Sequence, residues 1–259
     1  MTGTSSPSES EVATDLDGAV ATVEIRRGPN NYFNPTLIRT LGDEFERLDA
    51  DPGCRAIVLC SEGKHFCAGA DFTGEMAEPG ASGRLYEEAV RLFAVRTPVV
   101  AAVQGKAIGG GVGLALAADF RVAARSSRFT VNFARLGFHQ GFGLSVTLPA
   151  LIGESRAARL LYSGGTLTGE EAERIGLCDA VVDDADVRTA ARELASEFVE
   201  SAPLAVQSIK ETLRGDLVRR IQAVLPRELS EQTRLRRTSD FAEGLRAGRQ
   251  RRAPEFTGQ

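Results

Sequence analysis

Histidine and tryptophan are nearly absent from this chain of 259 residues, which contains two histidines and no tryptophan. With only His65 and His139 available, and four cysteines that show no Cys-x-x-Cys spacing, the sequence offers no recognisable metal site. No apolar run approaches the roughly 20 residues of a membrane span. We therefore expect no metal and no membrane association, and reduced thiols in a cytoplasmic protein.

The first residues, MTGTSSPSESE, lack the basic and the apolar parts of a signal peptide. Their polarity predicts a disordered N-terminal tail over residues 1–11. Excess positive charge is lacking too, since the formal net charge is −4. A non-specific nucleic-acid binder is normally basic, so we expect no nucleic-acid partner. A hydrophobic content of 42% and a charged content of 25% are typical of a globular protein.

Apolar patterns alternate between strand and helix in the first half of the chain. An α/β fold with a parallel sheet is expected, because such alternation requires crossover connections. After about residue 145 the pattern becomes helical, with an apolar stripe over residues 217–229. Residues 73–84 have little periodicity and predict a mobile loop, a candidate lid. The predicted strands are 19–27, 54–62, 98–105 and 119–124.

Two glycine-containing turns follow predicted strands. One is EGKHFCAGADF (62–72) and the other is GKAIGGGVGLALAAD (105–119). Ligands of open α/β sheets bind at the carboxyl ends of the strands. The glycine and alanine residues of these turns have no reactive side chains, so only their backbone N–H groups can act on a ligand. Two such amides can stabilise an oxyanion. Alternatively, the glycines serve only tight turns. A dinucleotide-binding fingerprint and a P-loop are absent in usable context.

Four stretches together resemble the crotonase superfamily, also called the enoyl-CoA hydratase/isomerase family. They are GKHFCAGAD, GKAIGGGVGLALAADFRVAA, LTGEEAERIGLCDAVV and SDFAEGLRAGRQRRAPEFTG, in this order. The resemblance implies a crotonase-like spiral of ββα units over residues 12–200, with the acyl-CoA site, and a helical oligomerisation region over 201–259. It also implies a homotrimer or hexamer and an acyl-CoA thioester substrate. Coenzyme A is then part of the substrate, and no separate cofactor is expected.

The same resemblance implies roles for individual residues. Ala70 and Gly110 match the two backbone donors of the family's oxyanion hole, and Ala68 and Ala70 match backbone contacts to the adenine end of coenzyme A. His65 is expected at the mouth of that site. Gly113, Phe133 and Gly141 stand in the substrate pocket where family members carry catalytic carboxylates. Glycine and phenylalanine cannot hold or deprotonate a water molecule.

We therefore expect an acyl-CoA-processing enzyme that stabilises a thioester enolate, as an isomerase or a decarboxylase rather than as an efficient hydratase. His139 is a candidate replacement base, because histidine exchanges protons readily near neutral pH; alternatively, it only hydrogen-bonds its own loop. Cys67 is predicted to be a small buried thiol rather than a nucleophile. The alternative function is that of a non-catalytic acyl-CoA-binding protein with the same fold.

Overall fold

A computed structural model describes residues 11–71 and 74–259, which form two sheets surrounded by helices. The strands are β1 (Val12–Asp17), β2 (Val20–Ile25), β3 (Ala56–Ser61), β4 (Val99–Val103), β5 (Lys106–Ile108), β6 (Phe120–Ala124), β7 (Arg128–Thr130), β8 (Thr166–Thr168) and β9 (Ala180–Val182). The helices are α1 (Pro35–Ala50), α2 (Ala81–Ala94), α3 (Gly110–Ala117), α4 (Leu144–Ile152), α5 (Glu154–Ser163), α6 (Gly169–Arg174), α7 (Val187–Val199), α8 (Pro203–Leu235) and α9 (Ser239–Gln250).

The larger sheet has the strand order β1-β2-β3-β4-β6-β9. All pairs from β2 onward are parallel, which confirms the predicted parallel sheet, whereas β1 is antiparallel to β2. Every residue of β3 and β4 is buried, because helices cover both faces. Sequence analysis missed β1, in which only Val12 is buried, so that no apolar run marks it. Of the predicted tail 1–11, residues 1–10 lie outside the described residues.

The smaller sheet has the order β5-β7-β8 and is extended by a parallel bridge between Cys67 and Ala107. A strand of the larger sheet is thus followed by a short strand of the smaller one and then by a helix, as in β4-β5-α3. This repeated ββα path confirms the predicted spiral. Strands of three residues are too short to give a period in the sequence, which is why the smaller sheet was not predicted.

Helix α8 runs for 33 residues and packs against α2 and α4. Ile221 and Leu225 of the predicted stripe are buried in the main core of this same chain. These two residues of the stripe are therefore not available as a surface for contacts between chains. The exposed apolar side chains of α8 lie nearer its N-terminus and are Leu204, Ile209 and Leu213. In the described part of the chain, none of the helices combines the length and the apolarity of a membrane span.

The predicted loop at residues 73–84 is wrong in its secondary structure. Thr73 lies outside the described residues, Gly74–Ala77 forms one 3₁₀ turn, and α2 already begins at Ala81. The small residues of the first helical turn, Ala-Ser-Gly, concealed the helix. Its apolar face, with Leu85 and Ala89 buried in the main core, begins just beyond them.

Candidate active site

The two glycine turns are joined to each other through their backbones. The amide of Cys67 donates to the carbonyl of Lys106 at 3.1 Å, and the amide of Ile108 donates to the carbonyl of Cys67 at 2.9 Å. A methyl group at Gly111 would lie 2.2 Å from that Cys67 oxygen. Gly69 has a φ of +97°, and a methyl group there would lie 2.9 Å from the Ile108 oxygen. Only glycine permits this approach of two backbones.

This junction places Ala70 and Gly110 at one cavity. The Phe33 amide donates to Gly69 and the Asp71 amide donates to Phe33, so Ala70 faces away from that pairing. Gly110 opens α3, where an amide has no acceptor within the helix. Within residues 11–71 and 74–259, neither amide has a hydrogen-bond partner. The turns therefore present two unengaged donors.

The cavity has a volume of about 440 Å³ and two walls of different construction. We call Ala68, Gly69, Ala70, Gly109 and Gly110 the glycine wall. We call Tyr86 of α2, Gln232 of α8 and Arg236, the residue that follows α8, the helix wall. Other lining residues are mostly apolar and include Phe33, Met76, Phe133, Leu136, Phe138, Phe142 and Leu245.

Charge in this cavity is of one sign. Arg236 and Arg249 line it, and none of the described lining residues is an aspartate or a glutamate. Met76 and Ser82, from the segment predicted as a lid, also line it. That segment thus lies where a lid would lie, although much of it is helical.

Neighbouring side chains occupy the space next to two of the positions that the family resemblance singled out. A methyl group at Gly113 would lie 2.6 Å from Cβ of Phe142, and Gly113 is not among the lining residues. A methyl group at Gly141 would lie 1.9 Å from the hydroxyl oxygen of Tyr86 and 2.5 Å from the amide nitrogen of Gln232. Gly141 and Phe133 do line the cavity.

Phe142 is fixed between other aromatic rings. Its φ is +59°, a value that a bulky residue rarely adopts. Its ring lies 5.4 Å from the ring of Phe33 and 6.2 Å from that of Phe93, measured between centroids. Phe33 in turn packs beside Gly110. The aromatic packing therefore holds the backbone of Phe142 in this unusual conformation, directly over Gly113.

The histidines lie outside the cavity lining. Nδ1 of His139 is 2.7 Å from the carbonyl of Gln140, and the His139 carbonyl accepts from Gln232 at 3.0 Å. His65 lies beside two lysines, Lys106 and Lys64. Burial, followed by these two charges, lowers the pKa of His65, so its ring is neutral at neutral pH. The Ala68 amide donates to the Asn30 carbonyl at 2.9 Å, and the Ala68 carbonyl accepts no hydrogen bond from residues 11–71 and 74–259.

Sequence reasoning missed Tyr86, Gln232 and Phe142. The hydroxyl of Tyr86 donates to Oε1 of Gln232 at 2.8 Å across a sequence separation of 146 residues. No local pattern connects positions so far apart. A tyrosine in an amphipathic helix and a glutamine in a long polar helix are ordinary residues until the tertiary structure brings them together.

The four cysteines are free and buried, as expected for Cys67. Burial raises the pKa of Cys67 to about 12, that of Cys178 to about 12 and that of Cys60 to about 11. A thiol is nucleophilic only as the thiolate, so these side chains are unreactive at neutral pH.

Two amides without acceptors beside an apolar cavity form the kind of site that stabilises a negatively charged carbonyl oxygen. Residues 15–259 match the family model for Enoyl-CoA hydratase/isomerase. The chain is 34% identical over 238 residues to 2,3-dehydroadipyl-CoA hydratase of Escherichia coli (strain K12), covering 90% of this chain and 93% of that one. It is 30% identical over 258 residues to 1,2-epoxyphenylacetyl-CoA isomerase of the same strain, covering 96% and 98%.

A solved structure, carnitinyl-CoA hydratase from Mycobacterium avium, is 31% identical. It aligns over 97% of this chain and 100% of that one, with a TM-score of 0.86. The chain belongs to the enoyl-CoA hydratase/isomerase family, the crotonase superfamily, whose members are enzymes of acyl-CoA chemistry.

Proposed function

We propose that the protein binds an acyl-CoA thioester and holds its carbonyl oxygen between the amides of Ala70 and Gly110. The observation that carries this proposal is that both amides lack a partner among the described residues and line one cavity. An enolate places negative charge on that oxygen. One preorganised donor typically contributes about 2.7–4 kcal/mol to such a transition state.

Decarboxylation of a malonyl-type thioester fits this cavity because it requires no base. The bond between Cα and the carboxylate breaks, carbon dioxide leaves, and the electron pair moves onto the thioester oxygen as an enolate. A proton from water then adds at Cα.

Isomerisation of a double bond also passes through an enolate but requires a group that moves a proton. Hydration requires a base for water, and the described lining residues include no carboxylate.

We propose that coenzyme A runs from the thioester past Ala68 toward His65. The free carbonyl of Ala68 can accept from the adenine amino group. Lys64 and Lys106, the residues whose charges affect His65, would favour phosphates nearby. His139 is not carried into the mechanism, because its ring is not among the lining residues.

A non-catalytic acyl-CoA binder is the second candidate. It is favoured by the same absence of carboxylates among the described lining residues. The test compares binding with turnover. Calorimetry should show acyl-CoA binding at micromolar concentration or tighter. Turnover is then measured with malonyl-CoA, a 3-enoyl-CoA and crotonyl-CoA. Decarboxylation or isomerisation supports the enzyme, whereas binding without any turnover supports the binder. Hydration of crotonyl-CoA at about 1–10³ s⁻¹ would contradict the mechanism.

We also propose a homotrimer or hexamer assembled through the C-terminal helices. Leu204 is 80% exposed and Leu213 is 74% exposed on α8, an unusual position for large apolar side chains. Light scattering at micromolar concentration should give a mass of three or six chains. A monomer would contradict the assembly but leave the acyl-CoA proposal intact.

A further inference from the structure

Tyr86 and Gln232 form a buried polar pair in an otherwise largely apolar cavity. Each is 6% exposed, and they line the cavity with Arg236, which caps the C-terminus of α8 four residues after Gln232. Buried polar groups in a ligand pocket typically fix the orientation of the ligand and its specificity.

The pair can donate more hydrogen bonds than the described protein accepts. Burial raises the pKa of Tyr86 far above its ordinary value, so the hydroxyl keeps its proton. It donates that proton to Oε1 of Gln232. The amide nitrogen of Gln232 carries two hydrogens, of which one goes to the His139 carbonyl. The other has no partner in residues 11–71 and 74–259.

The hydrogen bond between Tyr86 and Gln232 can form in this position only because residue 141 is a glycine. A methyl group there would overlap the Tyr86 hydroxyl at 1.9 Å and the Gln232 nitrogen at 2.5 Å. The two side chains therefore occupy space that any other residue at 141 would fill. The polar pair stands in the cavity because position 141 has no side chain.

We propose that the helix wall selects acyl groups that carry an oxygen beyond the thioester, either a neutral hydroxyl or carbonyl or a carboxylate. The spare Gln232 hydrogen is a donor, the positive charge of Arg236 acts on the same pair, and none of the described lining residues is an anion. A plain alkyl chain offers no acceptor to these groups. The inference rests on the proposed function, since the glycine wall must first hold the thioester.

The experiment measures by calorimetry the affinity of the full-length protein for three ligands of similar length: butyryl-CoA, 3-hydroxybutyryl-CoA and succinyl-CoA. We expect at least one oxygenated ligand to bind about ten-fold more tightly than butyryl-CoA, the usual size of one hydrogen bond to a buried group. Tyr86→Phe removes only the hydroxyl, and Gln232→Glu keeps the acceptor for Tyr86 but removes the amide hydrogens. Both should bring the ratio near one, because Gln232→Glu removes the spare amide hydrogen and Tyr86→Phe removes the hydroxyl that holds the Gln232 side chain in place.

Tyr162→Phe is the matched control, because Tyr162 is 81% exposed, and it should leave the ratio unchanged. Arg236→Met separates the two sources of oxygen: it should weaken succinyl-CoA only if the preferred group is a carboxylate. Equal affinity for all three ligands, or a ratio that survives both Tyr86→Phe and Gln232→Glu, would overturn the selectivity and leave the proposed function standing. Failure of every acyl-CoA to bind would instead overturn the proposed function.

Discussion

The glycine wall and the helix wall enclose one cavity but present different kinds of group. The glycine wall offers backbone amides, and it comes from two turns that are adjacent in the spiral. The helix wall offers side chains from α2 and α8, which are distant in the sequence. Backbone donors fix where a thioester oxygen sits whatever the acyl group is, whereas side chains determine which acyl group fits. We therefore expect chemistry to depend on one wall and selectivity on the other.

A buried ionic cluster joins the segment after α3 to α8. Asp119 follows α3 and is 7% exposed in its side chain. It accepts from Lys210 of α8 at 2.6 Å and pairs with Arg214. Burial alone would raise the pKa of Asp119, but these two cations outweigh burial and hold it below its ordinary value of 3.8.

The largest expected effect is on stability, from removing this cluster. Asp119→Ala leaves two nearly buried cations without their carboxylate, so urea unfolding should show a loss of about 3–5 kcal/mol. Asp183→Ala is the control, because it removes a salt bridge in which the Asp183 side chain is 75% exposed. It should reduce the free energy of unfolding by less than about 1 kcal/mol. Equal losses would show that the buried cluster stabilises the fold no more than an exposed salt bridge does.

The same cluster predicts a pH dependence. Because the folded pKa of Asp119 is depressed, its contribution is fully present above pH 3.8 and is lost as pH falls through the folded value. The stability difference between the wild type and Asp119→Asn should shrink in that acid range. A difference independent of pH would contradict the ionic origin.

The next largest effect concerns the glycine wall. Gly110→Pro removes the amide donor, and Gly110→Ala keeps it. Both add atoms against Phe33, whose ring would lie 2.4 Å from a new methyl group. The proline variant should therefore be slower than the alanine variant by about 10²–10³-fold in whichever turnover the wild type catalyses. Equal rates would show that the amide is not the oxyanion donor. If either variant fails to fold, the pair is repeated with Phe33→Leu.

A smaller effect separates two helical glycines. Gly113→Ala, in α3, should destabilise the protein by about 1–3 kcal/mol, because Phe142 fills the space beside it. Gly215→Ala, in α8, meets no atom closer than 3.8 Å and should stabilise it by about 0.4–1 kcal/mol. Thermal unfolding of both variants checks the signs. A stable Gly113→Ala would mean that Phe142 can move away, and that a carboxylate could be accommodated there.

The smallest expected effect is at His139. Since its ring is not among the residues that line the cavity, His139→Ala should change turnover and α-proton exchange in deuterated water by less than about two-fold. Loss of exchange with unchanged acyl-CoA affinity would instead restore the sequence-based assignment of His139 as the base.

Much of the glycine wall could be predicted from the sequence. Strands β3 and β4 are continuous apolar runs, and each leads within a few residues to a stretch of small residues, so the two stretches were expected near one edge of a parallel sheet. Strands β1, β5, β7, β8 and β9 were missed because they are exposed or only three residues long. A strand of three residues is too short to show an alternation of apolar and polar residues, and whether it forms depends on the strands that pair with it.

The sequence by itself determined the family, the alternation of buried parallel strands with helices and the backbone character of one wall, since these depend on local pattern and on residues a few positions apart. Only the tertiary structure decided what fills the space beside Gly113 and Gly141. Phe142 covers the first, and Tyr86 with Gln232 occupies the second. A glycine in the sequence shows only that a side chain is absent. Packing between distant segments decides which other side chain fills the space beside it.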